Sequence, residues 1–431
     1  MKIFSKSRAA VDMTEGSPLK LIVLFGLPIL IGSIFQQLYS MVDSIVVGNF
    51  VGANALAAVG ASGHVSGLLI SAASGLTTGA SIVVAQLVGA KLNERIKASI
   101  STTLIFVTIL SVLLSILGVA IASQLCRWTR VPDNIFEDAV TYLRIYMSGI
   151  VFLMLYNFFA AILRSLGDSA TPLIFLIISS VLNIIGDLWF VIGLNMGVAG
   201  VAWATVISQA ISVVLCAIYV AFRVEYFKFK KGEFVFDKGL FSEILRLGLP
   251  SALQGSVMNL GFVLVQGLIN TFGSAYIAAY TAASKMEMLS HLPVESFAMG
   301  YSVYVGQNMG AGNVERTKEG QKKILMFTGA LCILLAVLLI SIGDVLVGLF
   351  VDSSETVVIS YGAQFLRTFA PFTVIFAAMN VFNSTLRGSG DSVASMLAMM
   401  MDLGLRVVAA YILCSFESIG FLGIAFAIPI G

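Results

Sequence analysis

Charge is what this chain of 431 residues has least of. Only 11% of its residues are Asp, Glu, Lys or Arg, against about 25% in an ordinary soluble domain. Hydrophobic residues make up 58%, so a water-soluble globule is excluded. The few charges nearly balance, at +2 overall, and no basic run is interleaved with aromatics, so no nucleic-acid partner is expected. Cysteine is scarce and scattered (Cys126, Cys216, Cys332, Cys414), and His64 and His291 lack metal-ligand spacing. Free thiols and no metal or other cofactor follow. Phosphate-binding, nucleophile-elbow and zincin motifs are all missing. An enzyme is therefore not expected, and any uphill work has to draw on an ion gradient. No small-residue cleavage site separates the polar, basic first residues from the apolar stretch after them, which reads as a spanning helix rather than a signal peptide.

Long apolar runs are abundant. Eleven are long enough to span a bilayer at about 20 residues each, the first at 20–47 and the last at 393–415. They are continuously apolar, whereas barrel strands alternate. A twelfth begins near Ile419 and reaches Gly431. Its thirteen or so residues rise only ~20 Å against a hydrocarbon core of ~30 Å, so a truncated last helix is expected. The fold class is an all-α integral membrane protein.

The chain also repeats itself. Val84-Ala85-Gln86-Leu87-Val88-Gly89-Ala90 returns as Val305-Gly306-Gln307-Asn308-Met309-Gly310-Ala311, Gly26-Leu27-Pro28 as Gly248-Leu249-Pro250, and Arg164-Ser165-Leu166-Gly167-Asp168-Ser169 as Arg387-Gly388-Ser389-Gly390-Asp391-Ser392. A near-constant offset means two related halves of six helices. Six is even, so the halves are parallel, related by an axis along the membrane normal, with a cleft between them. The division is a tail at 1–19, a first bundle at 20–222, a polar linker at 223–241 and a second bundle at 242–431. Lys and Arg crowd the loops on the side of the N-terminus (Lys91, Arg95, Lys97, the linker, Arg316 to Lys323, with Arg164 and Arg387). Loops on the other side hold only Arg127 and Arg130. The N-terminus is therefore expected in the cytoplasm and the chain in the cell (inner) membrane.

Ionisable residues within the spans are costly and mark function. Asp43 shares a stripe with Gln36, Tyr39 and Ser40 on the outer half of the first helix. Asp187 follows Asn183 by four residues on the fifth, at a similar depth. Two acids that meet cannot both ionise cheaply, so one should hold a proton, with Asn183 and Thr205 supplying hydrogen bonds. The plainer alternatives are a hydrated Asp43 at the interface and an Asp187 that caps a helix end. Glu287, His291 and Glu295 fall on one face of the eighth helix, either a second ion or cation-substrate surface or a packing network that pairs Lys285 with Glu287. Asp402 and Arg406, four apart, should pair with each other. The two Arg-x-x-Gly-Asp loops read as structural latches, with Asp168 and Asp391 capping the next helix.

These motifs resemble the multidrug and toxic compound extrusion (MATE) family. The carriers are Gly26-Leu27-Pro28 with Asp43, the paired Gln-x-x-Gly-Ala motifs, the two Arg-x-x-Gly-Asp loops, and residues 197–205 on the sixth helix. The resemblance covers nearly the whole chain. It implies twelve helices in two lobes around a V-shaped cavity, and an antiporter, expected as a monomer, that exports amphipathic, often cationic small molecules in exchange for H⁺ or Na⁺. A lipid-linked precursor flippase of the same superfamily is the alternative; it predicts several arginines in the cavity. Within the family the chain is most similar to the DinF-like branch, whose first-lobe network maps onto Asp43, Asn183, Asp187 and Thr205, with Tyr39 and Asn157 as further members. Where the NorM-like branch has acids on helices 7 and 10, this chain offers amides, among them Gln254 and Asn259.

Overall fold

A computed structural model describes residues 11–351, 354–416 and 418–430, apart from the side chains of 63–66, 68–70 and 72–73; His64 falls among these. The described residues contain no strand. The first half comprises α1 (Pro18–Val46), α2 (Ala53–Gly89), α3 (Asn93–Trp128), α4 (Phe136–Ser148), α5 (Ile150–Ser165), α6 (Ala170–Asp187) and α7 (Gly197–Arg223). The second comprises α8 (Lys238–Ile269), α9 (Ser274–Gly310), α10 (Val314–Gly348), α11 (Thr356–Phe369), α12 (Thr373–Ser389), α13 (Ser392–Cys414) and α14 (Gly423–Ala427). Among the described residues eight helices are long and apolar enough to cross a membrane, and the α4–α5 pair makes a ninth. Only 17% of the apolar stretch of α3 is buried inside the protein. Side chains such as Ile109, Leu113, Ile116 and Leu117 point outward, which is tolerable in lipid and not in water.

Several spans differ from their straight sequence reading. The fourth breaks at Gly149 with a 46° bend, where a side chain would strike Val206. The tenth breaks between Phe369 and Thr373, where Pro371 withholds a backbone donor. The first and fifth end in π-helical turns, Val47–Val51 and Leu188–Gly193. Such turns leave no periodic trace in sequence and recur at functional sites. Spans two and eight run on to Gly89 and Gly310 and so carry the repeated Gln-x-x-Gly motifs in their last turns.

Each half has its own core, and each lends its first helix to the other. Leu240, Ile244 and Leu247 of α8 pack into the large first-half cluster. Ile22 and Phe25 of α1 pack with Phe297, Tyr301 and Tyr304 of α9. At the basic face the repeated motifs close the halves on each other. The Gln86 amide donates to the Gly388 carbonyl at 3.0 Å, and the Gln307 amide donates to the Ser165 carbonyl at 2.9 Å. Gly89 and Gly310 make this reciprocal crossing possible, because a Cβ on either would collide with the carbonyl of Gln307 or Gln86.

The residues before α1 lie across the same face. The Val11 amide donates to Gly167. The Met13 amide donates to Gln307 Oε1, and the Met13 carbonyl accepts from Asn308 Nδ2, both at 3.0 Å. The Arg316 guanidinium donates to Gly16 at 2.7 Å. Met13 is fully buried, so this segment straps both halves together. The turns after α5 and α12 behave as their sequence suggests. Gly167 and Gly390 both take φ near +92°, and Asp168 and Asp391 accept from the amides that open the next helix. The linker is tethered by Lys97, which donates to Glu233 at 2.8 Å. The Lys230 amide and the Lys97 ammonium hold the Glu233 carboxyl below the usual carboxylate range. This contact is therefore lost only as pH falls through that depressed value.

Candidate functional site

The bends and π turns bring α1, α5, α6 and α7 around a cavity of about 600 Å³. Gln36, Tyr39, Ser40 and Asp43 all line it, so the polar stripe of α1 faces an internal cavity. Asp187, at the end of α6, is fully buried, and Asn183 and Thr205 are nearly so. Asp187 does not cap its helix, because the chain continues into the π turn. Its carboxyl instead faces that of Asp43 within hydrogen-bonding reach, and among the described residues neither acid forms an ion pair with a base. Both acids stand at α→π junctions: the backbone carbonyl of Asp43 accepts the amide of Val47, where the first turn begins, and Asp187 directly precedes the second. Val47 and Val191, one from each turn, are buried together with Tyr142.

Asn183 ties the buried acid to the next helix. In the amide orientation that matches donors with acceptors, Nδ2 donates to Asp187 Oδ2 at 3.2 Å, and Oδ1 accepts from the Thr205 hydroxyl at 3.3 Å. Thr205 Oγ1 also lies 3.1 Å from the Val201 carbonyl, and the Tyr39 hydroxyl hydrogen-bonds to Thr205. Oδ1 of Asp43 and Oδ1 of Asp187 have no hydrogen-bond partner among the described residues. Unsatisfied buried carboxyl oxygens of this kind call for a proton, a water or a cation. Two carboxyls, an amide, a threonine and a tyrosine present a set of oxygen donors that fits either H⁺ or a small monovalent cation such as Na⁺.

The remaining candidates sit elsewhere. Asn157 lines the cavity, but its amide donates to Leu153 in its own helix at 3.0 Å. Gln254 lines a second, smaller pocket of about 200 Å³ between α2 and α8. Asn259 bridges the halves by donating to Ser71 at 3.2 Å. On α9, His291 stacks on Phe376 with ring centroids 3.8 Å apart. Glu287, His291 and Glu295 line neither cavity, and among the described residues they form no three-ligand metal cluster and Lys285 makes no ion pair with Glu287. Arg406 does pair with Asp402, at 3.3 Å.

Two features escape the sequence reading. Tyr142 and Tyr146 line the cavity and stack 6.0 Å apart; their spacing of four on the fourth span was the available signal. Arg164 and Arg387, read as members of basic-face loops, instead line the two cavities.

Known proteins share this fold. The MatE family profile matches residues 28–189 and 250–412, one match to each half. Two Bacillus subtilis (strain 168) proteins named as probable multidrug resistance proteins are similar along most of their length. YpnP is 29% identical over 405 residues, covering 94% of this chain and 88% of YpnP. YoeA is 28% identical over 414 residues, covering 94% of this chain and 89% of YoeA. A solved structure described as the outward-facing conformation of a multidrug resistance MATE family transporter superposes with a TM-score of 0.92 at 27% identity, over 99% of this chain and 95% of that one. With the profile on both halves and the twelve-helix fold in common, the chain belongs to the MatE family of multidrug extrusion (MATE) transporters.

Proposed function

We propose that this chain is a secondary antiporter that exports amphipathic organic compounds, cationic ones among them, in exchange for H⁺ or Na⁺ by alternating access. One observation carries the reading: the Asp43 and Asp187 carboxyls meet inside the protein and, among the described residues, pair with no base. Such a pair needs a cation between its members, and a cation that can leave is a coupling ion. The Asn183 amide turns its N–H toward Asp187, which suits a shared proton. Na⁺ would draw the amide oxygen round instead. The basic face, latched by Gln86 and Gln307, is the cytoplasmic side by its Lys and Arg content, which puts the N-terminus inside and the chain in the cell membrane. One chain supplies both halves of the cleft and works as a monomer.

The α→π junctions offer a route from ion to motion. Arrival of a cation removes the repulsion between the acids, and the π turns beside them can repack. Pro28 of α1 lies on the cavity wall, in a helix already short of one hydrogen bond. A two-state helix biased in this way is enough for gating.

The test uses reconstituted vesicles loaded with a cationic dye and given a pH or Na⁺ gradient. Gradient-driven dye movement is expected from the wild type and is expected to disappear in the Asp43→Asn, Asp187→Asn double variant. Undiminished transport in that variant would sink the proposal. A lipid-linked precursor flippase is the second reading, favoured only by the arginines that reach the cavities. Arg164 and Arg387 line separate pockets, whereas a pyrophosphate grip needs several bases at one point.

A further inference from the structure

The coupling site leaves two arginines without a task. Arg164 and Arg387 hold equivalent places in the two halves, each in the last turn of its helix. Arg387 lines the smaller pocket, and its Nε is buried with no hydrogen-bond partner. Among the described residues neither arginine forms an ion pair. Glu295 acts on Arg387 electrostatically without an ion pair between them, and it lines neither cavity. A guanidinium stays charged, and an unpaired charge held inside a membrane protein is expensive enough to mark a function.

The pocket around Arg387 has a definite chemical character. No carboxylate is among its lining residues. The hydroxyls of Ser74, Thr78 and Ser251 bond back to carbonyls of their own helices. The donors left to face the space are the Arg387 guanidinium and the Gln254 amide. Met258 adds apolar wall, and Ser74 lines both this pocket and the larger cavity, so the two spaces adjoin. A molecule with its head at Arg387 can lay an apolar body along the larger cavity.

We propose that Arg387, with Gln254, is an anion subsite of the transport cleft, and that the cargo includes amphipaths carrying a carboxylate, sulfonate or phosphate head. Arg164, facing the larger cavity with no carboxylate partner, is the equivalent position in the first half and takes the anionic group when the molecule shifts across the cleft. The inference rests on the export reading for its biological sense, and it refines the charge of the cargo. Binding needs no gradient, so its test stands apart from that of ion coupling.

The probe is 11-(dansylamino)undecanoic acid, compared with its neutral primary amide, titrated against the purified full chain by dansyl fluorescence. The acid is expected to bind at least about tenfold more tightly than the amide, the usual value of a hydrogen bond to a charged group. Arg387→Gln is expected to abolish that preference. Arg387→Lys is expected to keep part of it, and a monodisperse gel-filtration profile for both variants separates loss of the subsite from loss of the fold. Equal acid-to-amide ratios in wild type and Arg387→Gln would overturn the proposal. A lipid headgroup offers the same chemistry, so the bound acid is also challenged with octanesulfonate and with phosphatidylglycerol in nanodiscs. Displacement by octanesulfonate supports the cargo subsite. Displacement by phosphatidylglycerol alone would assign Arg387 to lipid and overturn it.

Discussion

Asp187 is fully buried, and its two carboxyl oxygens meet different partners: Asn183 approaches one, while the other has none among the described residues. An oxygen in that position calls for a proton, a water or a cation, which is why the proposed transport reading converges on this atom. Asn183→Ala removes the donor and leaves a buried acceptor bare, at a cost of about 1–3 kcal/mol. Gradient-driven dye efflux from vesicles is expected to fall roughly tenfold or more. Thr205→Val keeps the shape and removes only the hydroxyl that orients the amide, so a smaller loss is expected in the same assay. Equal losses in the two variants would mean that Asn183 acts through packing rather than through its bond to Asp187. The same-helix spacing of Asn183 and Asp187 was legible from sequence. That the amide spans α6 and α7 was not, because spacing within one helix says nothing about the rotation of its neighbour.

At the scale of elements, the repeated Gln-x-x-Gly-Ala motif shows what duplication accomplishes. Each glutamine reaches a carbonyl in the last helical turn before the other half's loop, so equivalent contacts are made twice across the pseudo-axis. Two such bonds at about 1 kcal/mol each would bias the closed basic face by roughly 30-fold. The Gln86→Leu, Gln307→Leu double variant is therefore expected to label faster by about that factor when a cysteine replaces the fully buried Val305, using a membrane-permeant maleimide. An unchanged rate would show that the helix crossing, rather than the glutamines, holds the face shut. Gly310→Val addresses that crossing directly. Its side chain meets the Gln86 carbonyl, and a loss of 1–3 kcal/mol from overpacking is expected as a lower melting temperature in detergent.

At the scale of the whole molecule, the segment at 11–16 ties both halves to the closed face. Met13→Asp would put a charge into a fully buried position, at a cost of several kcal/mol. It is expected to free the strap and raise labelling of the same Val305→Cys position, while leaving the cation binding proposed for Asp43 and Asp187 unchanged. Loss of ion binding as well would mean that the strap supports the fold rather than the gate.

Composition, long apolar runs and the internal repeat determined that the chain is an all-helical membrane protein of two parallel halves. Lipid demands long apolar helices with internally satisfied backbones, and that demand is written residue by residue. The acids Asp43 and Asp187 were legible for the same reason, since a charge within an apolar run stands out. Only the tertiary structure decided that these acids touch, that π turns end both of their helices, and that α1 and α8 exchange partners between the halves. It also decided that Arg164 and Arg387 line the cavities. Each of these depends on the rotation and bend of one helix against another. In a chain so uniformly apolar, nearly every helix face is hydrophobic enough to be buried or to meet lipid, so the sequence leaves those angles open and packing has to choose them.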